Sequence, residues 1–297
     1  MHEAIHQILE AVARGELSPE EGDRQIGALL KEPADGAPEG ASSGGAQDGR
    51  LKNDASGPIH GMASGDINGS VAGSVSGKLK GSVHGDVRGS VNGLISGDVD
   101  GAVQGDVSGR VGGHVTGGVG RNVSGMVGGN IGLAQEREHL QVGGSIHGKV
   151  GGHVHATVLG GVSGMVGGDV YRVEGKISGK VGGSVEEVLG GVSGHVGGYV
   201  RHLAGGLSGT VGGDVDRLDG DLSGCVAGNV RTLRGSVSGR IGSKFSPNSG
   251  NVHELFGDVK KKSVIYGRVD ILHGQNHGQI PGRAASSAPT TRFPSPE

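Results

Sequence analysis

Large side chains are nearly missing from this chain. Of its 297 residues none is Trp, three are Phe and three are Tyr, which argues against a conventional core of aromatic packing. A single cysteine, Cys225, excludes an intrachain disulfide framework and fits a reducing compartment. The formal net charge is only −3, so no general electrostatic pull toward nucleic acid or an anionic membrane is expected. No apolar run of about 20 residues is present to cross a bilayer as a helix. The start, Met1-His2-Glu3, has neither the basic region nor the apolar run of a signal peptide. These absences point to a soluble, cytoplasmic protein without nucleic acid or membrane among its expected partners.

Glycine is abundant instead, at 67 residues, with nine Pro. That composition without a period reads as disorder, and collagen would need Gly at every third place. The period here is different. From Gly57 to Gly132 the chain repeats the tetrapeptide Gly-x-Val-x, with an apolar residue in 19 consecutive tetrads from Ile59 to Ile131; Arg121 is the one departure from Gly at the first place. From Gly160 a 15-residue unit takes over, opening at Gly160, Gly175, Gly190, Gly205, Gly220 and Gly235, with Ser at its fourth place from Ser163 to Ser238. Residues 144–159 form a 16-residue variant of it.

Such self-similarity marks a solenoid, in which each repeat buries its apolar face on its neighbours. Gly at every fourth place with a β-branched residue between is poor helix material. Each tetrad reads as a very short strand with Val inward and Gly near a corner, where its positive φ and its tolerance of close backbone approach are useful. Three tetrads give a 12-residue turn and four give 16. The reading favours an all-β, narrow, three-sided β-solenoid of either hand, with roughly 12 turns in a rod of about 55–60 Å. A polyproline-II bundle or disorder are weaker readings.

The repeat divides the chain. Residues 1–32 are an α-hairpin: apolar residues at helical spacing include Ile5, Leu9 and Val12, and Ser18-Pro19-Glu20-Glu21 reads as a capping box ahead of a second helix burying Ile26, Leu29 and Leu30. Two helices this short need a further partner. The run from Ile8-Leu9 through Gly15-Glu16-Leu17-Ser18-Pro19-Glu20-Glu21 to Leu29-Leu30 resembles the SHOCT-like hairpin of bacterial proteins, which implies oligomerisation or docking. Residues 33–56 read as a flexible linker, 57–132 as the tetrapeptide solenoid, 133–143 as an insertion, and 144–245 as the 15-residue solenoid. In 246–282 the heavier residues Leu255, Phe256, Val264, Tyr266 and Ile271 read as a C-terminal cap, needed because an open solenoid end exposes backbone and apolar interior. Residues 283–297 read as a disordered tail.

Chemistry is sparse. Gly-rich matches to phosphate loops carry no information in this composition, and no cofactor or metal is expected. His153 and His155 share one strand face without a Cys or carboxylate cluster beside them. At a spacing of 15, Arg172, Glu187, His202, Arg217 and Thr232 stack as a partly complementary charge ladder. Met165, Lys180, His195, Thr210, Cys225 and Arg240 form a mixed column with Cys225 pointing outward. Lys260-Lys261-Lys262, the one cationic run, reads as a solvated strand edge. The repeat over 57–245 resembles the polymer-forming β-helical proteins of bacteria, the bactofilin type, and the resemblance implies end-to-end polymerisation through turn pairing. The leading expectation is a non-enzymatic scaffold or filament that pairs with itself, or with another protein through the N-terminal hairpin. A monomeric adaptor using the solenoid as a rigid spacer is the alternative, and an ice-binding protein a minor one.

Overall fold

The computed structural model describes residues 57–135, 138–244 and 249–281. The hairpin residues Ile5, Leu9, Val12, Ile26, Leu29 and Leu30, the linker and the C-terminal tail lie outside the described residues. What is described is an all-β parallel β-solenoid, whose longest ladder of strands runs through 13 successive turns.

The apolar third residue of each tetrad occupies one of four inward columns, which begin at Ile59, Ala63, Ile67 and Val71 and pair in parallel with the equivalent residue one turn later. From Ile67 to Val269 these side chains are almost all fully buried. The backbone of an inward residue is used completely: the Val75 N–H donates to the Ser90 carbonyl and the Val75 carbonyl accepts from Asn92 and Gly93, all within the next turn. A core of Val, Ile and Leu, with Ala156 the one smaller member, therefore forms without aromatics, because each turn contributes four side chains and stacks them on four like residues.

The first block settles the turn length that the tetrad left open. Its tetrads wind four to a turn, so Met62 pairs with Lys78 and Leu79 with Ile95, 16 residues on. In the second block one residue is lost between the third and fourth columns. Val154 and Val158 are joined by a strand of five residues, whereas Val170–Val173 and Val185–Val188 have four. The surplus residue of the longer strand is Ala156, turned into the core at the register irregularity opposite Val170 and Arg172. Strict alternation would put Val185 and Val188 on opposite faces. Both are buried, so strict alternation is broken within this strand, with Glu186 and Glu187 both left less buried than the valines.

The glycines are explained by approach rather than by backbone sign. Among the described residues positive φ occurs at Gly65, Gly132, Gly242, Gly250 and Gly257 only, together with Lys262. The regular glycines are needed because a Cβ on Gly77 would overlap the Gly61 carbonyl oxygen, and one on Gly194 the Gly179 carbonyl oxygen. Stacked turns bring these corners too close for any side chain.

Two long interruptions, and a shorter one of two residues between Val259 and Ile265, leave the columns intact. Asn122 bonds to Ser145 across 23 residues and Asn229 to Asn251 across 22, each step seven residues longer than the turn it interrupts. Both surpluses fall between inward columns. The ladder resumes at Gln141–Val142 after the first and at Val252–Phe256 after the second. The segment read as a cap thus adds turns: Val252–Phe256 pairs with Val230–Arg234, and Val269–Leu272 pairs with Val252–Phe256 in turn.

Candidate functional site

Because the interior is apolar, any function of the described residues lies on the outer faces or at the ends. Between the third and fourth columns the second block carries ion pairs. Register places Arg172, Glu187, His202, Arg217 and Thr232 opposite one another in that order, the column read from the 15-residue spacing. Arg172 reaches Glu187 at 3.1 Å, and His202 lies 3.3 Å from Glu187 and 3.0 Å from Asp219. Arg217 donates to Asp219 at 2.7 Å. Burial works to raise the Asp219 carboxyl, but hydrogen bonds from Arg217 and His202 and their charges hold it below its ordinary value of 3.8. Farther along this face Phe256 is 37% exposed and stacks on His273 at 4.3 Å.

A second ladder runs along the third corner and was not read from the sequence. The residue just before each third-column side chain accepts the N–H of its counterpart one turn on. Ser82 N–H donates to Asp66, Asp98 N–H to Ser82, His114 N–H to Asp98 and Asn130 N–H to His114. The series continues through Asn130, His153, Asp169 and Ser184. It lapses at Tyr199, whose ring carries the hydroxyl away from the backbone, and resumes from Asp214 to Arg268. The preference for Ser, Asp, Asn and His before an inward residue was the available signal: short side chains with an acceptor. His153 belongs to this ladder, and its ring stacks on His155 with centroids 5.4 Å apart. Among the described residues no group of three His, Cys, Asp or Glu side chains is placed to hold a metal ion.

The column of Cys225 lies on the outer side of the second column. Register confirms the order Met165, Lys180, His195, Thr210, Cys225, Arg240 and extends it back through Lys149, Met126, Arg110, Leu94 and Lys78 to Met62. Cys225 is half-buried and free. Its interaction with Arg240, followed by that of Tyr266, raises the guanidinium further above its ordinary range.

The residues read as a cap are spread over two turns. Leu255 is buried, Val264 and Tyr266 are half-buried, and Phe256 and Ile271 are exposed on the outside. At the last described turn Leu272 and Ile280 are only partly buried against the core, as are Ile59 and Ala63 at the first.

The fold defines the class, a parallel β-solenoid built from four inward columns. Compared with known proteins, the chain matches no family model, no curated protein and no solved structure.

Proposed function

We propose that this protein is a non-enzymatic structural scaffold that self-assembles by stacking solenoids end to end, as the resemblance to polymer-forming β-helical proteins implies. One observation carries the reading. The parallel pairing runs from Ile59 to Gln279, and the end turns pair on one side only among the described residues, with the apolar Ile59, Ala63, Leu272 and Ile280 incompletely covered. An edge of this kind is a template for another parallel strand, and here the next turn can come from a second copy. The N-terminal hairpin, with its SHOCT-like pattern, nucleates the assembly.

Sedimentation velocity across a concentration series tests this with three chains: the full protein, one lacking residues 1–32, and L272D/I280D. The full chain forms large species that grow with concentration. The end variant stays small, and the truncation assembles only after a lag. A single slow species for the full chain at every concentration would leave the adaptor reading in its place.

A further inference from the structure

The chain's net charge is small and negative, but the fold sorts that charge by face. In every turn, consider the residues from the one after the first column to the one after the second, such as Ser76–Lys80 or Ser178–Gly182. Over the whole solenoid this strip holds nine Lys or Arg and not one Asp or Glu. The other outer faces carry both signs, as the ion pairs around Glu187 and Asp219 show.

The strip is also patterned along the axis. From Met62 to Lys180 its central column alternates apolar and cationic residues turn by turn, which spaces the cations about 10 Å apart. The cations Lys78, Arg110, Lys149 and Lys180 are exposed. Of the apolar members, Met62 is 59% and Met165 43% exposed. The column is flanked mostly by Ser on one side and mostly by Gly on the other, so in most turns its long side chains stand above small neighbours. Toward the C-terminal end the strip broadens into a depression of about 470 Å³ lined by Thr210, Cys225, Arg240, Lys262 and Tyr266. Lys260-Lys261-Lys262 therefore continues the same face.

We infer that this strip is a docking face for an anionic lipid bilayer, with the solenoid lying along the membrane plane. Alternating charge and thioether suits that surface: cations meet lipid phosphates, while Met and Leu side chains enter the boundary between headgroups and acyl chains. A soluble linear polyanion would be served by the cations alone, leaving the Met side chains without a role. Recognition of sugars and bases relies on stacking against large aromatic rings, and the strip holds no Phe or Trp and a single Tyr, Tyr266.

Co-sedimentation of the full chain with vesicles tests the inference, using phosphatidylcholine alone and with phosphatidylglycerol at about three in ten, at low and high salt. Binding is expected on the anionic vesicles only, and weaker at high salt. Each cation near the surface is worth about fivefold, so K78E/K149E/K180E loses more than about a hundredfold, and the milder K78Q/K149Q/K180Q loses in the same direction. R88E/R121E/R231E, which changes net charge equally on other faces, binds within about threefold of the parent. M126Q/M165Q weakens vesicle binding several-fold. Circular dichroism checks that each variant keeps its fold. Failure of the full chain to bind anionic vesicles overturns the inference. So does an equal loss in the off-face variant, which would reduce the effect to bulk charge. Binding of soluble polyphosphate in preference to vesicles, unaffected by M126Q/M165Q, assigns the face to a linear polyanion instead.

Discussion

A glycine in a β-strand ordinarily weakens it, through backbone entropy and the missing side chain. Here the cost is accepted because the corner of one turn rests on the carbonyl of the turn before. The composition alone announces a special role for Gly but not which one. Positive φ and close approach both select it, and only the stacked structure shows that close approach dominates at the regular positions. The two can be separated at single residues. In Gly194→Ala the new methyl overlaps the Gly179 carbonyl oxygen, a backbone atom that cannot swing away. The expected loss is about 1–3 kcal/mol in urea unfolding. In Gly206→Ala the nearest atom is the Asp221 carbonyl oxygen at 3.3 Å. That change stays within about 1 kcal/mol, because reduced unfolded-state entropy offsets the crowding. Equal losses at the two positions would mean that packing between turns is not what selects glycine.

The short strand is the element of this fold, and its register decides what stands beside what. The 15-residue spacing made the columns of Arg172 and Cys225 legible, since a fixed turn length converts sequence distance into contact. The 16-residue turn of the first block was not legible from the tetrad, because four identical tetrads per turn and three give the same pattern. The signal lay in one column: Met62, Lys78, Leu94, Arg110 and Met126 place a long side chain every 16 residues. The two seven-residue surpluses break the spacing ahead of the last turns, and 246–282 therefore read as a cap. Those surpluses also show an asymmetry: seven extra residues are taken up between columns, whereas the second block drops only a single residue per turn. Deletion of residues 190–204 removes one complete unit, leaves Glu187 facing Arg217 and preserves the four columns. It is expected to keep the circular dichroism spectrum and lower thermal stability only slightly. Deletion of 190–206 leaves that turn two residues short and is expected to expose the junction to limited proteolysis. Resistance of the second variant would show that the columns do not set the register.

At the same scale the ion ladder makes a pH-dependent contribution. The folded value of Asp219 is depressed, so its stabilisation is complete above the ordinary value of 3.8 and is lost as pH falls below it. The pairs are partly solvated, which keeps the effect to at most about 1 kcal/mol. Asp219→Asn is therefore expected to be slightly less stable than the parent in urea at neutral pH, with the difference closing as pH falls through the depressed value of the carboxyl. A deficit that persisted unchanged into acid would mean that the substitution disturbs packing rather than an ion pair.

On the scale of the whole molecule, the sequence carried the class of fold and missed the distribution of charge. Net charge is a sum, and a sum cannot show that one strip along a solenoid has no carboxylate while the others are mixed. Only the turn length, applied to every residue, sorts them. The same arithmetic bears on assembly. A 13-turn ladder is about 60 Å long, and every interior turn is held by bonds to both neighbours, so a further copy stacked on an end meets the same surface that an added turn would. Negative-stain electron microscopy of the full chain over a concentration series decides whether that surface is used. Filaments one solenoid wide, lengthening with concentration in steps of the single rod, are the predicted result; separate rods of about 60 Å at every concentration would contradict end-to-end assembly.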